Sequence, residues 1–210
     1  MTRPFSVELS APARNSDSGL TLIELIVSMS IFMIFMAVVL TTTVTLAQSA
    51  TRAQLTAEAS NASLVVFGSF DRQARYADAI NVPGTGASGA RYVEFRTPGN
   101  SSASGVTTCT QWRFVPSLGR LESRSWQDLP SVVLPAFATK LTNVIDDGAS
   151  YPFTLVPASL AGSTMHQLTV TIHSGNANLN AGADMSTTFV ARNSSVASAA
   201  VTCNPSGYRP

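Results

Sequence analysis

The chain has 210 residues, enough for one domain with a hydrophobic core besides a membrane segment. Charged residues make up 12% of it, about half the share that is typical of soluble globular proteins, and the net charge is +1. Lysine and arginine form no cluster, so the counterion release that drives binding to nucleic acids has no evident source. The composition therefore argues against a nucleic acid as a direct partner.

The first predicted element is an apolar helix. Residues 20–40 contain a single charged side chain, that of Glu24. A helix of this length is about 31 Å long, which matches the hydrocarbon core of a bilayer. The preceding residues 1–19 are polar and include two arginines, so the positive-inside rule places the N-terminus in the cytoplasm. The sequence thus predicts a single-pass protein of the cytoplasmic membrane, with the C-terminal part outside.

A cleaved secretory signal peptide is an alternative interpretation of this segment. Such peptides have an apolar core of about 7–15 residues and then a small-residue cleavage site. The present run is longer, although Thr45-Leu46-Ala47 could serve as a weak site. Glu24 argues against an export signal, because a carboxylate in an apolar segment costs about 2.5–3.5 kcal/mol on insertion scales. A plain signal anchor is a further alternative.

The residues from Ser18 to Leu25, SGLTLIEL, resemble the prepilin signal of type IV pilins and type II secretion pseudopilins. In that family the leader is cut after a glycine, and a glutamate stands fifth in the mature chain. The resemblance implies cleavage between Gly19 and Leu20 by a membrane aspartic prepilin peptidase, and methylation of Leu20. It also implies that Glu24 directs assembly by pairing with the Leu20 amine of a neighbouring subunit, since an α-amine is cationic near neutral pH.

The resemblance extends to function and partners. It implies a minor pilin or pseudopilin that helps to initiate or cap a type IV pilus-like or type II secretion-like filament. The segments Phe70–Arg75 and Phe189–Asn193 resemble those of J-type minor pseudopilins. The implied partners are other pilin or pseudopilin subunits, the prepilin peptidase, an inner-membrane assembly platform and the lipid bilayer. The rival hypothesis is a membrane-anchored extracytoplasmic binding or adhesion domain that does not polymerise. Neither class is an enzyme, and no cofactor or metal is expected.

The helix is predicted to continue well beyond the apolar run. Residues 13–82 contain no proline, and the one glycine within residues 20–83 is Gly68. We therefore expect a helix over about 20–79. In its second half apolar residues recur at steps of three or four, as in an amphipathic helix with one face against a core. This stripe comprises Leu55, Ala59, Ala62, Val66, Phe70, Ala74 and Ala77.

Four parts make up the predicted domain organisation. They are a cytoplasmic leader at 1–19, a transmembrane and assembly helix at 20–45, an amphipathic continuation at 46–82, and an extracytoplasmic β-rich domain at 83–210. In the last part short apolar runs alternate with turn residues, as in an antiparallel sheet. The candidate strands are Tyr92–Thr97, Thr107–Val115, Arg120–Ser125, Lys140–Ile145, Phe153–Val156, Gln167–His173 and Ser186–Arg192. One long helix followed by strands predicts an α+β fold of pilin type, with the sheet over the amphipathic half of the helix.

Two patterns that resemble catalytic or binding motifs have structural explanations. Gly84, Gly86 and Gly89 spell G-x-G-x-x-G, but the dinucleotide motif follows a strand and opens a helix, whereas this one ends a helix. It is interpreted as a flexible loop. His166 and His173 stand seven residues apart on one predicted strand, so their side chains should point to opposite faces and cannot share a metal.

An acidic pair and the two cysteines are the remaining candidate site residues. Asp146-Asp147-Gly148 could contribute oxygen atoms to a Ca²⁺ site, but a hairpin turn explains the same residues, because Asp-Gly is a favoured turn pair. Cys109 and Cys203 are predicted to form a disulfide in an oxidising compartment, which would close a loop worth about 4–5 kcal/mol in the chain-entropy model. Two unpaired buried thiols are the alternative.

Overall fold

The computed structural model describes residues 21–129, 131–148, 151–159, 161–199, 202–205 and 207–210. The predicted cleavage site at Gly19 and Leu20 lies outside these residues. The chain divides into two compact units, Met1–Ala47 and Gln48–Pro210, which are considered in turn.

One α-helix, α1, spans Leu22–Tyr76. It ends slightly before the predicted Ala79, because Ala79–Ile80 pair with a strand instead. In the first unit every described residue is exposed. This part of the helix is long and apolar enough to cross a membrane by length and composition.

In the second unit, α1 buries one face against the β-rich part of the chain. The stripe predicted from the sequence is close to this face but is wrong at Ala62, which is exposed. Leu55 and Ala59 are only half-buried. The helical residues that are fully buried are Ser63, Val66, Phe67, Phe70 and Ala74. They follow the three-four spacing of a helix face, and the two phenylalanines give this face far more apolar area than Ala62 offers.

Nine β-strands follow in the described part of the chain. They are β1 (Ala79–Ile80), β2 (Gly84–Thr85), β3 (Arg91–Thr97), β4 (Thr108–Val115), β5 (Arg120–Gln127), β6 (Ala138–Leu141), β7 (Phe153–Val156), β8 (Gln167–Asn176) and β9 (Ala181–Val190). All seven predicted strands are present, and β5 and β8 extend two and three residues beyond their predicted ends, to Gln127 and Asn176. Two other strands need larger corrections. The predicted strand Lys140–Ile145 begins earlier and ends at Leu141, and the predicted strand Ser186–Arg192 begins at Ala181 and ends at Val190.

The strands form two antiparallel sheets rather than the one that the sequence predicted. The first sheet has the order β1-β3-β4-β5-β6, with β2 also paired to β3. The second sheet has the order β7-β8-β9. An isolated bridge between Val144 and Ser174 connects the segment after β6 with β8. The overall class is α+β and pilin-like, as predicted.

The hydrophobic core lies between α1 and the two sheets. Phe70 of the helix is fully buried and meets aromatic rings from both sheets. Its ring centroid lies 4.3 Å from Trp112 and 6.1 Å from Phe95 in the first sheet, and 5.9 Å from Phe153 and 6.2 Å from Phe189 in the second. One helical side chain thus joins both sheets.

The outer face of the first sheet is covered by the C-terminal segment. In β3, Val93 and Phe95 belong to the core, so the intervening Glu94 points to the opposite face. Glu94 is nevertheless fully buried, because Arg209 of the C-terminal segment lies against it. The carbonyl of Tyr208 accepts hydrogen bonds from two other side chains of this face, those of Gln111 and Arg124.

Candidate functional site

Glu24 lies exposed in the first turn of α1. Thr21 caps this helix, since its Oγ1 accepts a hydrogen bond from the backbone N–H of Glu24 at 3.3 Å. Thr-x-x-Glu is the pattern of a capping box, and a carboxylate in the first turn also interacts favourably with the helix dipole. Thr21 therefore caps the helix through the backbone of residue 24, and the Glu24 carboxylate adds the interaction with the dipole. This cap was not predicted from the sequence, although the Thr21–Glu24 spacing indicates it.

Several hydroxyl groups of the apolar helix donate hydrogen bonds within the helix itself. Ser30 donates to the carbonyl of Ile26 at 2.8 Å, and Thr41 donates to that of Ala37 at 2.8 Å. Thr43 makes the same bond to the carbonyl four residues earlier. Such bonds reduce the number of polar groups that need water, which favours these residues in an apolar surrounding. Glu24 is then the one charged side chain in residues 21–51. Its predicted partner, the Leu20 amine, lies outside the described residues.

The structure joins Cys109 and Cys203 in a disulfide with a Cα–Cα distance of 5.6 Å. Cys109 lies in β4 and packs with Trp126 of β5 in a small cluster on the outer face of the first sheet. Next to the bond, Thr202 exchanges two hydrogen bonds with the side chain of Asn81, at 2.6 and 2.7 Å. The disulfide therefore anchors the beginning of the C-terminal segment that covers this face.

Glu94 is the most deeply buried charged group of the second unit and was not found from the sequence. Its carboxylate accepts hydrogen bonds from Arg209 Nε at 2.9 Å, Gln111 Nε2 at 2.8 Å and Asn81 Nδ2 at 3.1 Å. Arg209 Nη2 also donates to it at 2.5 Å. A buried charge is tolerated only when it is paired and hydrogen-bonded, and all these donors meet that need. The one sequence signal was an acidic residue within the otherwise apolar run Tyr92–Phe95.

Asp146 and Asp147 lie in the connection between β6 and β7, and because these strands belong to different sheets the connection is not the hairpin turn that was expected. Two guanidinium nitrogens of Arg91 donate to Asp146, at 2.5 and 3.1 Å, and the N–H of Gly148 donates to it at 3.3 Å. The hydrogen bond from Arg91 is the main reason that the pKa of Asp146 is lowered. The carboxylate of Asp146 is thus occupied by a guanidinium group and by a backbone N–H two residues later. Among the described residues, no group of three or more His, Cys, Asp or Glu side chains is arranged to hold a metal.

The two histidines lie in different surroundings. His173 is in β8, and its imidazole lies 3.1 Å from Asp184 and 3.5 Å from Asp147. His166 precedes β8 instead of lying in it, which corrects the prediction that both share a strand. It is buried, and its Nδ1 accepts a hydrogen bond from the N–H of Ala158 at 3.1 Å. Its Nε2 is buried without a hydrogen-bond partner among the described residues.

His166 should make the stability of the second unit depend on pH. Burial lowers the pKa of its imidazole below 6.5. Below about pH 6.5 this imidazole binds a proton more readily in the unfolded chain than in the folded chain. The free energy of unfolding is therefore unaffected by His166 above that pH and falls as the pH decreases below it. The slope from this group is at most about 1.4 kcal/mol per pH unit. Urea denaturation at about pH 7.5 and 5.5 should therefore show a flatter profile for His166→Gln. Equal profiles for the variant and the parent chain would contradict this assignment.

The glycine pattern begins in β2 at Gly84 and continues with Gly86 and Gly89 towards β3, so it does not end the helix as expected, since α1 stops at Tyr76. Gly84 belongs to β2, the N–H of Gly89 donates to the carbonyl of Gly86 at 3.1 Å, and Gly89 has φ +80°. A strand follows, not the helix that a dinucleotide site needs. The pattern therefore serves a turn that requires a left-handed backbone.

Comparison with known proteins supports the interpretation of the N-terminal segment. Residues 14–40 match the family model described as the prokaryotic N-terminal methylation motif. No curated protein and no solved structure matches the chain. The chain thus carries a type IV pilin-like signal, which supports a pilin-type or pseudopilin-type subunit in general. Such a signal implies interaction with other pilin subunits and with prepilin peptidase. The apolar helix that follows is consistent with a membrane anchor.

Proposed function

We propose that this chain is a minor pilin or pseudopilin that helps to initiate or cap a type IV pilus-like or type II secretion-like filament. Prepilin peptidase cleaves it between Gly19 and Leu20, Leu20 is methylated, and Glu24 directs its entry into the filament. The observation that carries the proposal is the methylation motif at 14–40, with Glu24 as the lone charge at the start of an exposed apolar helix.

The proposed topology places the N-terminus in the cytoplasm and the β-rich domain outside the cytoplasmic membrane. The Cys109–Cys203 disulfide supports an extracytoplasmic location of this domain, because such bonds persist in oxidising compartments. The inner-membrane assembly platform and neighbouring subunits are the remaining proposed partners. The membrane-anchored adhesion domain is the rival function, and Glu24 disfavours it, because a plain anchor has no use for a charge in lipid.

Glu24 acts in this proposal through its charge. A carboxylate in hydrocarbon lowers its free energy by pairing with a cation, and the α-amine created at Leu20 is the nearest candidate in the mature chain. Positions 20 and 24 are one helical turn apart, so a subunit could pair with itself. In a filament the amine of an adjacent subunit can replace that partner. The pairing then fixes the relative height of two apolar helices that could otherwise slide.

Because Glu24 lies in the capped first turn of α1, the experiment must separate its charge from helix initiation. Glu24→Gln removes the charge but keeps a residue that can complete a capping box, whereas Glu24→Leu removes both. Thr21→Val removes the cap and leaves the charge. Each variant is expressed in a prokaryotic host with prepilin peptidase and the other filament subunits. Its membrane level, its N-terminal residue and its crosslinking to other subunits are measured.

We expect both Glu24 variants to insert and to begin at Leu20 after processing. Their crosslinking to other subunits should fall about tenfold or more, which corresponds to the loss of about 1.4 kcal/mol from assembly. Thr21→Val should crosslink nearly as the parent chain does. If both Glu24 variants are processed and crosslink at the parent level, Glu24 does not direct assembly. If Glu24→Leu and Thr21→Val lose crosslinking and Glu24→Gln keeps it, the residue acts as a cap.

A further inference from the structure

The two sheets have several edge strands, and most of them are protected against pairing with another chain. β1 and β2 have two residues each. β6 has four residues that include Lys140, and its register with β5 is irregular. β7 also has four residues and stands between Pro152 and Pro157. Short length, lysine, bulges and proline are the features that keep natural edges from adding a strand.

β9 lacks all of these features. It has ten residues, Ala181–Val190, and pairs with β8 in an unbroken register. Its other edge has no strand beside it among the described residues. The segment Met185–Val190 contains no proline and no charged residue. An edge of this length and composition is a template for another strand.

A groove of about 430 Å³ runs beside this edge, between β9 and the second half of α1. Apolar surface comes from Leu64, which is 55% exposed, and from the largely buried Phe67 and Phe189. A strand edge next to a helix is the arrangement in which extended peptides are bound by strand addition, with side-chain pockets between the strand and the helix.

Gly68 lies on the helical wall of this groove. A Cβ atom added there would meet nothing within 4 Å, so no contact inside the chain requires a glycine. Glycine in the middle of a helix is nevertheless unfavourable relative to alanine. A close approach by another polypeptide gives the reason that the chain itself does not, because glycine allows a second backbone to come near.

The charges of the groove indicate what kind of segment fits. Asp71 and Arg75 pair with each other at 2.6 Å and so cancel. Arg192 also lines the groove, is exposed, and has no ion-pair partner among the described residues. An acidic side chain on the incoming segment would complement it.

We propose that the free edge of β9 and this groove bind an extended, acidic segment of a neighbouring subunit that carries the same N-terminal methylation signal. The segment adds a fourth strand to the second sheet, places an apolar side chain near Phe67 and Phe189, and places a carboxylate near Arg192. This inference rests on the proposed function, because it requires a neighbouring subunit.

The test uses the full chain in its own cell envelope, with a photoreactive residue placed at one position at a time. Thr187 lines the groove and is exposed. Leu118, which is 58% exposed on the turn after β4, is the control for random contact. Val38, which is 57% exposed in the apolar helix, reports on entry into a filament. Adducts are identified by mass spectrometry to the residue of the partner.

We expect the Thr187 probe to crosslink to an extended, acidic segment of a protein with the methylation signal, and the Leu118 probe to give at most a trace. Adducts at Val38 without adducts at Thr187 overturn the docking site and leave the filament function intact. Adducts at neither position overturn both. A Thr187 adduct that maps to a helix of the partner also overturns strand addition.

Gly68→Ala tests whether the glycine serves the partner and not the chain itself. Because the added methyl group meets nothing in the chain, the variant should raise the folding equilibrium constant about fivefold. It should also lower the Thr187 adduct yield several-fold, while the Val38 adduct is unchanged. Asn61→Ala, an exposed helical change that does not line the groove, should leave both adducts unchanged. If Gly68→Ala destabilises the chain, or if it leaves the Thr187 adduct at the parent level, the proposal is wrong.

Discussion

Replacing Phe70 with alanine is expected to lower the free energy of unfolding of the second unit by about 3–5 kcal/mol. The side chain is fully buried, stacks on Trp112 at 4.3 Å, and reaches Phe95, Phe153 and Phe189. Its removal leaves a cavity between α1 and both sheets. The surrounding aromatic rings belong to two different sheets, so they have little freedom to move into the cavity. Urea denaturation of the full chain in detergent, followed by tryptophan fluorescence, measures the change.

Leu64→Ala is the matched control for this prediction. Leu64 lies in the same helix but is 55% exposed, so its truncation should change the free energy of unfolding by at most about 0.5 kcal/mol. Trp112 contacts Phe70 directly, and its emission should also shift in the folded Phe70→Ala protein, but not in Leu64→Ala. Similar stabilities for the two variants would show that Phe70 does not join the helix to the sheets.

The position of Phe70 on the buried helix face was predictable, because helical periodicity depends on local spacing alone. The sequence could not show that Ser63 takes the place expected for Ala62 on that face. Ser63 is buried because its hydroxyl lies 2.9 Å from that of Ser174, which is 111 residues away in β8. A polar residue on a buried face needs a partner that only the folded chain supplies.

The strands could be located from the alternation of apolar residues and from turn residues. Their division between two sheets could not be predicted. Pairing depends on contacts between distant segments, and nothing in the local pattern separates β6 from β7. The boundary of β6 moved for a related reason. Val144 makes a bridge to Ser174 of the second sheet, so the apolar residues after Leu141 do not continue along β5.

The candidate site residues also differ in how far the sequence reveals them. Glu24 could be proposed because a single charge in a long apolar run is visible in the sequence, and the methylation motif covers it. The disulfide could be predicted because the chain has only two cysteines. The ion pair between Glu94 and Arg209 could not be predicted, because its members are 115 positions apart and eleven other arginines were equally available.

The two members of the Glu94–Arg209 ion pair are buried to different extents. Glu94 has no exposed surface, whereas the side chain of Arg209 is 17% exposed. Removing one partner of a buried pair typically costs about 3–5 kcal/mol, since it leaves the other charge uncompensated. The two partners are not equivalent in this respect. Arg209 can turn towards water when it is left alone, but Glu94 cannot do so without moving β3.

Arg209→Met should therefore lower the free energy of unfolding by about 3–5 kcal/mol, and Glu94→Gln by clearly less. Glutamine keeps an amide oxygen for the donors of Asn81 and Gln111, so the double variant Glu94→Gln with Arg209→Met should recover much of the loss. Urea denaturation without reductant measures all three variants, so that the disulfide holds the C-terminal segment in each. If Arg209→Met costs no more than Glu94→Gln, or if the double variant is as unstable as Arg209→Met alone, the carboxylate does not depend on Arg209 for its charge compensation.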